Sequence, residues 1–253
     1  MTWYFFAPIF FIITIVCAGV GLGGGTAYLS VLALWNTDPG VLRPLAWTFN
    51  VLAAGVGLMN FRAKGHFSLN FAWPFLVGGA VGAAVGARLP ITAQFFELLL
   101  AVALFGVSLR MLFATDKKDE KKSQTIKGPA WPVGLAIGLL IGVVSGVVGI
   151  GGGILLGPVI LSFKWAPVKT SAATTSAYIL VSSVGALGAF FAGGGTVDPK
   201  TVAVLGSVVL VGGFAGSRYG AGKADPRLVM RILGALIFLV SIKLFWAVYL
   251  QWG

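Results

Sequence analysis

Apolar residues run along this chain in long, nearly unbroken blocks. Blocks at 4–20, 41–61, 70–89, 94–113, 131–148, 171–192, 200–221 and 228–250 each approach spanning length; about 20 residues cross a bilayer core as an α-helix. Two shorter blocks, at 26–35 and 154–163, each follow a run of glycines. The pattern predicts an all-α polytopic membrane protein with eight long segments and two short ones. Composition agrees, since 58% hydrophobic residues, 10% charged residues and a mean hydropathy of +0.96 fit no soluble class. The first block has no Lys or Arg before it and no small-residue cleavage site, and Thr14-Ile15-Val16-Cys17 has too large a residue at Val16 for lipidation. It is expected to remain in place.

The glycine runs are two copies of one motif. Gly21-Leu22-Gly23-Gly24-Gly25 returns as Gly149-Ile150-Gly151-Gly152-Gly153, a period of about 128 residues, which marks an internal duplication. Downstream, Ala46-Trp47-Thr48-Phe49-Asn50 answers to Ala172-Ala173-Thr174-Thr175-Ser176. The segment 82–88, with Gly82, Gly86 and Arg88, answers to 212–218, with Gly212, Gly216 and Arg218. The one strongly polar run, Asp116 to Lys122, lies between the copies and reads as a solvated linker. The boundaries are therefore 1–113 for the first half, 114–130 for the linker and 131–253 for the second half.

Charge decides how the halves are oriented. If every block crossed, with the glycine runs as mere kinks, the 18 Lys and Arg would divide about evenly between the two sides. Short loops do not behave that way. If each glycine run is instead the tip of a re-entrant hairpin, three full crossings remain per half. Arg62, Lys64, Arg110, the five lysines of the linker, Lys164, Lys169, Arg218, Lys223, Arg227 and Arg231 then share one face, leaving Arg43, Arg88, Lys200 and Lys243 on the other. Fourteen against four is the asymmetry of a cytoplasmic face. The expected fold is two inverted repeats, each a glycine-tipped re-entrant hairpin plus three spanning helices, with termini outside and the 114–130 loop cytoplasmic.

Consecutive glycines stop a helix and admit close approach of a ligand. The helix that restarts after them presents free N–H groups and a positive dipole end, which favours an anion. Gly23, Gly24, Gly25, Gly151, Gly152 and Gly153 are accordingly candidate binding residues. Gly78, Gly82, Gly86, Gly212 and Gly216 read better as close helix packing. Thr48, Asn50, Thr174, Thr175 and Ser176 could hold a small oxyanion by hydrogen bonds alone, or equally could bond to their own helix carbonyls. Tyr178 is a further candidate for the same cavity.

Other chemistries lack their parts. Cys17 and His66 stand alone, far apart in sequence, so no metal site, disulfide or cofactor is expected. The glycine runs lack the Lys-Ser/Thr of a phosphate loop. The net charge of +11 is dispersed among hydrophobic loops and does not form a nucleic-acid surface. An intramembrane enzyme would need a nucleophile with its base, and the chain is read as no enzyme. Arg88, Arg110, Arg218 and Lys243 lie near segment ends, where they can snorkel. Glu97 is the only acid in an apolar block, so the cargo is expected to be an anion rather than a cation.

With its paired GLGGG and GIGGG runs, Thr48-Phe49-Asn50 and Thr174-Thr175-Ser176, and the two Gly-xxx-Gly-x-Arg segments, the chain resembles the TauE/SafE sulfite-exporter family over essentially its whole length. The second run keeps the family's following proline as Pro158, whereas the first has Ser30 and Val31 there. The resemblance implies a bacterial or archaeal plasma-membrane carrier of sulfite, thiosulfate or organosulfonates such as sulfoacetate, bound at the glycine tips and their neighbouring polar residues. A passive anion channel, or a permease for another small carboxylate or oxyanion, is the alternative. The partners expected are the small anion and the lipid bilayer, with homo-oligomerisation left open.

Overall fold

A computed structural model describes residues 7–19, 25–33, 38–90, 92–113 and 126–220, with pieces between 234 and 249. Its helices are α1 (Ala7–Gly19), α2 (Gly25–Ala33), α3 (Pro39–Ala63), α4 (Leu69–Arg88), α5 (Ala93–Phe113), α6 (Trp131–Val148), α7 (Gly153–Ser162), α8 (Val168–Ala192) and α9 (Pro199–Gly220). Among the described residues every regular element is a helix. In an apolar medium only a helix satisfies its backbone within one segment. The predicted blocks coincide with these helices to within a few residues; the last block, 228–250, is described only in part, with an apolar helical stretch at Ile237–Trp246.

Polar residues set the helix starts. Asp38 accepts the Gly40 N–H at 2.8 Å and opens α3 ahead of Pro39. Asp198 does the same for α9, taking the Thr201 hydroxyl and the N–H groups of Thr201 and Lys200. Those bonds, led by the Thr201 hydroxyl, hold its exposed carboxyl below the usual carboxylate range. α8 starts three residues ahead of the predicted block, because Pro167 caps it and its first turn accommodates Lys169 and Thr170.

Five helices are long and apolar enough to cross a membrane: α3, α4, α6, α8 and α9. α6, about 27 Å long at 1.5 Å per residue, is followed at once by a reversal of the chain. The backbone reverses over Gly149–Gly152 and α7 runs back. The N–H of Lys127, before α6, donates to the carbonyl of Trp165, after α7, at 2.9 Å. This pair thus starts and finishes at one level, as a re-entrant hairpin does. α1 and α2 also fold onto each other: Phe10 stacks on Tyr28 at 5.0 Å, and Thr14 lies 2.7 Å from the Tyr28 hydroxyl. Thr14 gives its own proton to the Phe10 carbonyl, so Tyr28 donates in that pair. The first glycine tip, including Gly23 and Gly24, falls outside the described residues; Gly25 opens α2.

Glycine stripes join the hairpins to the rest. α4 and α6 run parallel, with Gly78, Gly82 and Gly86 facing Gly138, Gly142 and Gly146. A Cβ at Gly142 would sit 2.7 Å from the Gly79 carbonyl and one at Gly138 2.5 Å from the Phe75 carbonyl. Gly212 and Gly216 of α9 meet α1 in the same way, at Phe11, Thr14 and Ile15. The packing reading of these glycines holds. Each hairpin's first helix therefore packs on a helix of the other half. The equivalent helices α3 and α8 cross antiparallel, with Gly55 against Leu180 and Trp47 against Ala186 and Phe190. At the edge, Phe105 of α5 packs on Phe238 and Phe245.

Candidate functional site

The second glycine tip lies buried where α3, α6 and α8 meet. Gly149 ends α6 at φ +89°, its N–H donating to the Ser145 carbonyl at 2.7 Å, and Gly151 and Gly152 follow at φ +74° and +66°. A side chain is strained in that left-handed region, so the sequence Gly-Ile-Gly-Gly is what lets the chain turn without a wider loop. α7 starts at Gly153, its first carbonyl partners supplied by Gly151 and Gly152. The N–H groups of Ile150, Gly151 and Gly152 make no hydrogen bond among the described residues. A buried backbone donor normally finds a partner.

Three predicted residues converge on this tip. Asn50 of α3 is fully buried, and a Cβ on Gly151 would come 2.7 Å from its amide nitrogen; neither end of that amide has a partner among the described residues. Tyr178 of α8 packs on Gly152 and donates to the Gly138 carbonyl at 2.7 Å, so it ties α8 to both limbs of the hairpin. Thr175 lies with its backbone carbonyl beside Gly153 and its methyl beside Gly157. The hydroxyls of Thr48, Thr174, Thr175 and Ser176 bond to carbonyls three or four residues back in their own helices. Ser176 faces Gly57 in the α3–α8 crossing. Thr48, Thr174 and Ser176 are thus placed along the helices and not shown against the tip.

Four residues beside the tip escaped the sequence reading. Ser182 donates to the Gly151 carbonyl at 3.2 Å. Ser183 is buried with an unpartnered hydroxyl, and the antiparallel register brings it level with Asn50. Trp47 is buried against Ala83, Ala186 and Phe190, its indole N–H likewise unpartnered. Arg43, counted above only among the four charges of the outer face, lies inside α3 and is half-buried. Its guanidinium rests over Trp47 at 5.3 Å and donates to the carbonyls of Ala87 (2.9 Å), Gly146 (3.2 Å) and Gly86 (3.4 Å), at the C-terminal ends of α4 and α6. Those ends carry negative partial charge. The signal was present in the spacing, for 43, 47 and 50 fall on one face of a helix.

The arrangement is rich in unsatisfied donors and poor in acids, and among the described residues no group of His, Cys, Asp or Glu could hold a metal ion. Broken helices with buried backbone donors, set in a bundle of membrane-length helices, define the class: a multi-pass membrane transporter. The family model for the sulfite exporter TauE/SafE matches residues 6–244, and the chain belongs to that family of membrane transporters. It is 29% identical over 237 residues, 94% of this chain and 96% of the relative, to the probable membrane transporter protein y4hK of Sinorhizobium fredii (strain NBRC 101917 / NGR234). No solved structure matches the chain.

Proposed function

We propose that the protein is a secondary transporter of small sulfur-containing anions, namely sulfite, thiosulfate or organosulfonates such as sulfoacetate. The anion binds at the glycine tip, and the two halves rock to expose it to each side in turn. The observation that carries the reading is the buried tip itself: three consecutive backbone N–H groups, of Ile150, Gly151 and Gly152 in the turn before α7, make no hydrogen bond among the described residues and lie beside the bare amide of Asn50. Sulfur oxyanions present several acceptor oxygens, which suits a ring of donors.

Inverted topology is part of the same proposal. The antiparallel crossing of α3 and α8 supports it, as does the exchange of hairpins between halves, since equivalent helices of inverted repeats run in opposite directions. The setting is a bacterial or archaeal plasma membrane, with termini outside and the 114–130 loop in the cytoplasm.

The test is uptake of labelled sulfite by proteoliposomes, with and without unlabelled sulfite or sulfoacetate inside. Saturable uptake, accelerated by internal anion, is expected; an open channel would show no such counterflow. Gly152→Leu forces a side chain into a left-handed backbone position 2.7 Å from Tyr178 and should abolish uptake while folded protein is still recovered. Absence of flux above empty liposomes for labelled sulfite, and likewise for labelled thiosulfate and sulfoacetate, would remove the substrate assignment.

A further inference from the structure

The unpartnered groups beside the tip are not scattered. Arg43, Trp47 and Asn50 form one row on α3, about 10 Å long at the helical rise. The tip runs alongside it: Gly149 sits 3.5 Å from the Arg43 Cα and 3.7 Å from its Cγ, measured from an added Cβ, and Gly151 sits against Asn50. Each member of the row keeps a buried donor without a partner, namely the Arg43 Nε, the Trp47 indole N–H and the Asn50 amide nitrogen. Ser183 adds a fourth unpartnered group from α8. Trp47 and Asn50 are at most 1% exposed, so water does not serve them from a surface.

Arg43 is also the charge of this region. Its bonds run only to backbone carbonyls, and among the described residues no carboxylate pairs with it. A buried charge is ordinarily matched by an opposite one. Here the opposite sign is supplied only by helix ends.

We infer that the Arg43–Trp47–Asn50 row, with Ser183 opposite, is the side-chain half of the anion site, and that Arg43 supplies its charge. This rests on the anion-transporter reading and deepens it: the backbone half comes from the second repeat's tip, the side-chain half from the first repeat's α3. The duplicated sequence does not repeat this row. The positions equivalent to Arg43, Trp47 and Asn50 under the internal alignment are Lys169, Ala173 and Ser176, and Lys169 is exposed. One charged site per chain follows, not two.

Arg43 acquires a second consequence. The guanidinium now held by the Ala87 and Gly146 carbonyls would turn toward a full negative charge, which is the stronger acceptor. Anion binding then loosens the joined ends of α4 and α6, the place where the second hairpin meets the first half.

The experiment is equilibrium binding to the purified full chain in detergent, using sulfite, thiosulfate, sulfoacetate and acetate as probes, for wild type, Arg43→Lys, Arg43→Gln, Trp47→Phe, Asn50→Asp and the control Asn60→Ala. Trp47→Phe keeps the ring and removes one N–H; Asn50→Asp keeps the shape and adds a repelling charge. Losing a bond to a charged ligand costs about tenfold in affinity or more, and that loss is expected for both. Arg43→Gln should weaken binding further than Arg43→Lys, and Asn60→Ala, at the far end of α3, should not weaken it. If Asn50→Asp does not fold, Trp47→Phe decides. Wild-type affinity in folded Trp47→Phe and Arg43→Gln, for an anion the protein also transports, overturns the row and leaves the transporter reading intact. Binding of acetate alone, lost in the variants, keeps the row and removes the sulfur substrates. No binding of any of the four anions to wild type overturns both.

Discussion

Tyr178 supports the tip through both its ring and its hydroxyl. Its ring fills the space under Gly152 and beside Gly79, and its hydroxyl satisfies the Gly138 carbonyl inside a helix interface that glycines have already brought into contact. Tyr178→Phe would remove that additional bond and leave the carbonyl only its place in the α6 ladder, while preserving the ring. A loss of about 0.6–1.5 kcal/mol is expected, measured by thermal unfolding in detergent, with anion affinity nearly unchanged because the hydroxyl faces α6 and not the unpartnered donors. Asn50 is the opposite case. It is buried with nothing to bond, so its cost is borne without any structural return within the protein, which is why it is assigned to the ligand.

At the scale of elements, the hairpins are held by backbone contact more than by side chains. Gly82 and Gly86 on α4, and Gly142 and Gly146 on α6, leave no room for a methyl group; an added Cβ on Gly142 reaches within 3.0 Å of Ala83 nitrogen as well as the Gly79 carbonyl. Gly142→Leu should therefore deny folded protein, seen as loss of the monodisperse peak in size exclusion, and Gly216→Leu on α9 should do the same through α1. Gly188→Leu, at an exposed position of α8 where a Cβ meets nothing within 4 Å, should fold and elute as wild type. The contrast isolates close approach as the cause. A general intolerance of side chains at helical glycines would affect all three.

For the whole molecule, the exchange of hairpins means that the second tip is enclosed by both halves. The second tip is completed by α3 of the first half, and the first hairpin packs on α9 of the second. A rocking motion of one half against the other must then pass through the tip, which is where Arg43 joins α4 to α6. The proposed inverted topology predicts that single cysteines placed near Lys118 and near Lys200 label from opposite faces of intact cells with an impermeant maleimide. Labelling of both from one face would contradict the inverted arrangement, whatever the substrate.

Sequence alone determined the helices and the glycine break at 149–152, because hydropathy and the ban on unsatisfied backbone in lipid act locally, residue by residue. It also placed Asn50 and Gly151–Gly153 among the candidates, and it separated packing glycines such as Gly82 and Gly216 from those of the tips. Tertiary structure decided what those residues meet. Thr48, Thr174 and Ser176 looked as promising as Asn50 by chemistry, yet their hydroxyls have carbonyls of their own helices within reach, an option that the planar amide of Asn50 does not take here. Arg43 looked like a topological charge, since an arginine near a segment end ordinarily snorkels to water. Only the convergence of the α4 and α6 ends over it, from residues more than forty positions away, holds it inside beside the tip. Such contacts depend on which helices become neighbours, and no local property of the chain encodes that.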